Sequence, residues 1–318
     1  MTQTTTAAGK KSDNKTGKIV ILGPTASGKS DVAMALAAGR TDVEIVAVDA
    51  MQVYRGMDIG TAKPTAADRA AVPHHCIDLV DPGETFTVAE YQRSATAALA
   101  EIASRQHTAL LVAGTGLYLT AVIDELTLPG EWPEIRHQLE AELAADFDVE
   151  NLHERLAALD PDAAAKIERT NERRIIRALE VCLGSGRPFS SFGPGTSAYP
   201  EIDTAQVGLR WPRELLTERV ASRVHRMMDA GLLAEVNALL ERPEGPSRTA
   251  LQALGYKELM AHLRGDTSLD EAVAEIILRT RQFAVRQERW FRRDPRIRWV
   301  DIDHDPVGEV LPVVQEFL

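Results

Sequence analysis

Apolar residues recur along the chain at two different periods, and the alternation between them lays out an α/β protein. Short apolar runs at Ile19–Leu22, Glu44–Val48 and Leu110–Ala113 have the length and composition of buried strands. Between them, Asp31–Ala38 and Val88–Ser104 carry apolar residues three and four apart, which predicts helices. Strand, helix and strand in that rhythm predict a parallel sheet covered by helices. From about Leu126 to Pro200 the pattern is helical only, with helices expected over Pro133–Phe147, Leu152–Leu159, Pro161–Ile167 and Asn171–Gly184. A strand at Ala205–Leu209 then returns to the sheet, Pro212 and Gly231 bracket a long helix, and helices fill most of the remainder to Arg293. The expected organisation is a core over 18–125 and 201–318, interrupted by a helical insertion domain over 126–200. Residues 1–17 are polar and read as a disordered leader.

Composition narrows the class. The chain has 318 residues, 44% hydrophobic and 26% charged, enough to bury a full core. No apolar run approaches the roughly 18 residues of a membrane span, and the polar start has no secretory h-region, so no membrane association and a cytoplasmic location are expected. Cys76 and Cys182 lack the spacing of a zinc site or a disulfide framework and read as buried thiols. A net charge of -11 argues against non-specific coating of nucleic acid but leaves room for a local basic face.

The chemistry begins at Gly23, Pro24, Thr25, Ala26, Ser27, Gly28, Lys29 and Ser30, a complete G-x-x-x-x-G-K-[ST] loop between the first strand and the first helix. Glycines turn backbone amides onto phosphate oxygens, Lys29 adds a point charge, and the Ser30 hydroxyl suits Mg²⁺. The fold class is therefore α/β, with a phosphate-loop NTPase-like parallel sheet, and the ligand is a diphosphate or triphosphate. Phosphate-loop kinases usually end a neighbouring strand in a metal-holding Asp. Here Leu110–Ala113 runs into Gly114-Thr115-Gly116, and the carboxylate stands instead at Asp49, after Val46-Ala47-Val48. A carboxylate at that edge of a parallel sheet suits a general base, metal support or a helix cap.

The run from Asp49 through Gln52, Tyr54 and Arg55 to Gly60-Thr61-Ala62-Lys63-Pro64 resembles the signature that follows the phosphate loop in tRNA dimethylallyltransferases, also called tRNA isopentenyltransferases. Other segments resemble the family in the same order: Pro73-His74-His75 with Asp78, Gly114 to Tyr118, Arg173 to Glu180, Gly255-Tyr256-Lys257-Glu258, and Thr280-Arg281-Gln282 with Arg286-Gln287. The resemblance implies transfer of a dimethylallyl group from dimethylallyl diphosphate to N6 of the adenosine immediately 3′ of the anticodon, position 37, with pyrophosphate released. It implies Asp49 as general base, Thr115 as a hydrogen-bonding active-site residue, Arg223 as diphosphate clamp and Gln52 as reader of the flipped adenine. It also points to Gly255, Tyr256 and Lys257 as RNA contacts. Partners are then the tRNA anticodon stem-loop and dimethylallyl diphosphate, the cofactor is Mg²⁺, and a monomer is expected.

Arg219, Arg223 and Arg226 fall on one helix face beside an apolar stripe of Leu216, Val220, Val224 and Met227. Two basic stretches suit RNA phosphates: Lys166, Arg169, Arg173, Arg174, Arg177 and Arg187 in the insertion, and the run Arg279–Arg298, where Phe283, Trp290 and Phe291 read equally well as core. His74 and His75 read as loop-positioning residues. The chain departs from the family at Ala50, where Ser is common, and at Val285, often Lys. Three rival readings remain at this level. They are a small-molecule phosphate-loop kinase, disfavoured by Gly114-Thr115-Gly116, an adenylate isopentenyltransferase acting on a free nucleotide, and a nucleotide-gated RNA-binding module without chemistry.

Overall fold

The computed structural model describes residues 17–145 and 148–318. The expected leader, apart from Gly17, and Asp146 and Phe147 of the expected helix lie outside the described residues. Six strands form one parallel sheet in the order β3-β2-β4-β1-β5-β6. They are β1 (Lys18–Leu22), β2 (Val43–Val48), β3 (His74–His75), β4 (Thr108–Ala113), β5 (Ala205–Arg210) and β6 (Arg298–Asp301). Helix α1 (Lys29–Ala37) follows the phosphate loop, α2 (Ala66–Ala71) and α3 (Val88–Ser104) precede β3 and β4, and α4 (Gly116–Ile123) follows β4. Thr87 and Glu90 form a capping box that starts α3 where the sequence places it.

The chain divides into two compact units, one running up to Leu119 and resuming over Glu201–Leu318, the other Thr120–Pro200. The second unit contains α5 (Pro133–Ala144), α6 (Val149–Leu159), α7 (Pro161–Lys166) and α8 (Glu172–Ser185), packed around Leu139, Leu152, Leu156, Ile175 and Leu179. In the first unit the sheet is followed by α9 (Arg213–Asp229), α10 (Leu232–Leu240), α11 (Tyr256–Leu263), α12 (Leu269–Phe291) and α13 (Pro306–Gln315). Its core on one face of the sheet joins Ile19, Ile21, Ile45, Leu110, Val207 and Leu209 to α1 and α13. The phosphate-loop strand β1 is central, between β4 and β5, and because the pairings are parallel the carboxyl ends of β1, β2 and β4 open on the same edge.

One buried carboxylate ties the β2 side of the sheet together. Glu44, 3% exposed, accepts two hydrogen bonds from Arg105, one from His75 Nε2 and one from His107 Nδ1, all at 2.7–2.9 Å. The Arg105 guanidinium, helped by both imidazoles and opposed by burial, holds the Glu44 carboxyl down to about 2. A depressed carboxylate stabilises the fold above its unfolded value of 4.5, and that contribution is lost as pH falls toward 2. Glu44→Ala is therefore expected to cost about 3 kcal/mol at neutral pH and to flatten the acid limb of stability between those pH values. Urea titrations across pH check this, and a variant with an unchanged acid limb would refute it.

Candidate active site

The carboxyl ends of β1, β2 and β4 open into a cleft of about 1350 Å³. Along one wall run Thr25 to Asp31 of the phosphate loop, with Arg219, Arg223 and Arg226 of α9, while Asp49, Gln52, Gly114 and Gln287 line the rest of its mouth. Gly28 adopts φ 95°, a left-handed turn that glycine permits, and offers no side chain to cap α1. The first-turn amides of α1 are thus left for a ligand, and the positive end of the helix points the same way.

Side chains distant in sequence hold the loop in shape. Arg219 Nε donates to Ala26 O at 2.8 Å while its guanidinium stacks on Trp211, whose Nε1 donates to Ser27 O at 2.9 Å. Thr25 N donates to Gln287 Oε1 at 2.8 Å, and a Cβ placed on Gly28 would stand 2.7 Å from Pro306 Cγ. Lys29 Nζ donates to Pro24 O at 2.8 Å.

Asp49 follows the last residue of β2. Its Oδ1 accepts from Met51 N at 2.7 Å and Gln52 N at 3.2 Å, whereas Oδ2 accepts nothing among the described residues and faces the Gly114 backbone. One oxygen of Asp49 thus caps the turn after β2, and the other is left without a donor among the described residues. Gln52 Nε2 donates to the carbonyls of Thr61 and Ala62, both at 3.1 Å, which fixes the amide so that Oε1 is the acceptor left over. Thr115 directly follows Gly114 of the cleft lining. Its hydroxyl accepts from Ala50 N at 3.1 Å and its carbonyl accepts from Leu119 N, so it anchors the Asp49 turn and starts α4.

The cleft is strongly basic at the loop. Burial and the neighbouring Arg223 push the Lys29 ammonium down to about 7, with Asp49 pulling it partly back, and burial also draws Arg223 below its ordinary value. An arriving polyanion reverses that pressure and raises Lys29, so binding takes up a proton wherever free Lys29 is neutral. At about pH 8.5 a fully ionised diphosphate monoester is expected to bind with uptake of about one proton, and its affinity declines as pH rises above 7. Calorimetry in buffers of different ionisation enthalpy reads the uptake directly; no net protonation at that pH would contradict the lowered ammonium.

Two residues assigned to the diphosphate from the motif do not line the cleft. Gly23 is packed so that a Cβ would lie 2.9 Å from Leu209 O, and Pro24 has no amide to offer and gives its carbonyl to Lys29. They shape the loop, and Thr25 to Ser30 form the cradle.

The chain is similar to known proteins over most of its length. A family model described as IPP transferase matches residues 52–294, and one described as isopentenyl transferase matches residues 17–74. A tRNA dimethylallyltransferase of Streptomyces griseus is 48% identical over 292 residues, 92% of each chain. The chain belongs to the tRNA dimethylallyltransferase family. Another member, from Desulforudis audaxviator, is 46% identical over 301 residues, 93% of this chain and 96% of that one. The tRNA isopentenylpyrophosphate transferase structure of Bacillus halodurans is 39% identical, covers 95% of this chain and 96% of its own, and has a TM-score of 0.67. A eukaryotic dimethylallyltransferase acting on tRNA gives a TM-score of 0.74 at 25% identity, over 89% of this chain and 73% of that one.

Several positions that likeness to tRNA dimethylallyltransferases assigned to RNA turn out to be structural. Tyr256 is fully buried, its ring packed on Gly60 and its hydroxyl donating to Glu235 at 2.6 Å. Gly255 is buried with φ 95° and donates to Glu258, its helix cap, so of the three only Lys257 is exposed. Arg177 is half-buried and donates to the carbonyls of Pro129 and Gly130 while pairing with buried Glu180. Arg173 and Arg174, at the start of α8, are exposed.

Sequence reading missed Glu235, which accepts from the amides of Asp58, Ile59 and Gly60 and so holds the loop that orients Gln52. A single glutamate on an amphipathic helix carries no signal of that task. Phe291 is core, Trp290 packs against Gly116, and Phe283 reaches the cleft.

Proposed function

We propose that the chain transfers a dimethylallyl group from dimethylallyl diphosphate to N6 of the adenosine 3′ of the anticodon, position 37, in tRNA. The observation that carries the reading is a phosphate loop sharing its cleft with the free Oδ2 of Asp49 and the fixed Oε1 of Gln52, with Gly114 at the neighbouring strand end. An NTP-hydrolysing site puts a metal-binding Asp at that strand end.

In this reading the allylic C1–O bond breaks as C1–N6 forms. The charge that gathers on the leaving diphosphate is met by the first-turn amides of α1, Lys29 and Arg223, all of which line the cleft. The N6 proton passes to Asp49 Oδ2, and Gln52 Oε1 accepts from the second N6 hydrogen or a neighbouring edge donor. Reaching that amine requires the base to leave its stack. Mg²⁺ fits as a partner of the diphosphate: Ser30 supplies a hydroxyl in the cleft, and Mg²⁺ characteristically completes its shell with phosphate oxygens and water. When bound it neutralises the leaving group. No cluster of three or more His, Cys, Asp or Glu that would hold a metal alone occurs among the described residues.

Exposed Arg173, Arg174 and Lys257 are the RNA-phosphate contacts in this proposal. No described helix is long and apolar enough to cross a membrane.

Mass spectrometry of nucleosides from unmodified tRNA incubated with the enzyme, Mg²⁺ and dimethylallyl diphosphate tests the reading. Prenylated adenosine at position 37 is the expected product. Prenylation of AMP alone, or consumption of ATP with no prenylated product, would replace it with one of the rival activities.

A further inference from the structure

We propose that Gln287 is a positioning residue that sets the spacing between the diphosphate cradle and the Asp49 turn. Its carboxamide is buried and used at both ends: Oε1 accepts from Thr25 N of the phosphate loop at 2.8 Å, and Nε2 donates to Gly114 O at the end of β4 at 2.7 Å. Gly114 N and Thr115 N both donate to Val48 O, and Thr115 Oγ1 accepts from Ala50 N, so the β4 end is fastened on either side of Asp49. One side chain from α12 therefore joins the group that holds the leaving diphosphate to the group that receives the proton.

The requirement is chemical as well as spatial. The site presents one backbone donor and one backbone acceptor, and a primary amide satisfies both at once. An ionised Glu is acceptor-only and sets a negative charge against Gly114 O. A Met of similar length satisfies neither. Protonated Glu, in contrast, has one carbonyl and one hydroxyl and reproduces the pair, and its burial against a carbonyl raises the pH at which it protonates.

The role rests on the prenyl-transfer reading, because spacing between leaving group and base matters only if both act in one step. Misplacement by about 1 Å costs on the order of 10²-fold in such reactions, so Gln287→Met and Gln287→Glu are expected to lower kcat by about 10- to 100-fold at pH 8. The KM for tRNA should stay within about twofold, since both ends of the Gln287 carboxamide are already taken up by backbone groups. As pH falls, the activity of Gln287→Glu relative to wild type at the same pH should climb towards one, while Gln287→Met stays flat. In ¹⁵N-threonine spectra the Thr25 amide should shift and lose exchange protection in Gln287→Met.

A folded Gln287→Met enzyme with wild-type kcat overturns the proposal. So does a loss of kcat matched by equal losses in substrate affinity and thermal stability, or a Gln287→Glu ratio that ignores pH. If wild-type enzyme prenylates no tRNA, it is the reaction assignment that fails. The Thr25 amide then still decides the wiring, an unmoved signal counting against it.

Discussion

Asp49→Asn is expected to reduce kcat for prenyl transfer by about 10²- to 10⁴-fold while tRNA still binds. Asparagine is the informative replacement because the two oxygens of Asp49 do different things. Oδ1 holds the amides of Met51 and Gln52, and an asparagine oxygen keeps both bonds. Oδ2 is the acceptor directed at the cleft, and an amide nitrogen in its place takes no proton. Asp49→Ala removes both functions, so the difference between the variants isolates the turn. Steady-state kinetics with a filter-binding control for tRNA decides the matter, and an active asparagine variant would remove Asp49 as the base.

The second large effect is expected at Arg223. Arg223→Ala should lower kcat by about 10²- to 10³-fold, the scale of losing one preorganised donor to developing charge. Affinity for the diphosphate should fall less than this. Arg223 is one cause of the depressed Lys29 ammonium, so its removal lets Lys29 protonate more readily and recover part of the lost attraction. Proton uptake on binding should correspondingly shrink at alkaline pH. Unchanged kcat and KM in the alanine variant would show that the leaving group does not meet this arginine.

The parts of the fold that were legible in sequence are those with strong local grammar. Glycine spacing marks the loop after β1, and Thr87 with Glu90 marks the start of α3. β3 is two residues long, too short to show any period, and β6 has no continuous apolar run because Arg298 and Asp301 stand at its ends; pairing with β5 makes it a strand. α13 announces itself only through Asp305 as N-cap and Pro306 at its first turn, with Pro312 interrupting the pattern.

The site divides in the same way. Asp49, Gln52 and the α9 arginine row could be found because motif order or helical period placed them. The burial of Tyr256 is invisible in sequence, which shows residue type but not exposure, and its hydroxyl is satisfied inside the protein. The task of Gln287 carries no local signal, since its two partners are 262 and 173 positions away.

The phosphate loop is written in residues 23–30 but braced by Trp211, Arg219, Gln287 and Pro306. On the ribosome, therefore, the motif emerges long before the cradle does. β1 also waits for β5 to cover its second edge, and β5 follows the whole helical insertion. A nascent chain is therefore expected to carry the phosphate-loop signature before it can hold an anion there, the bracing residues arriving only near the end of synthesis.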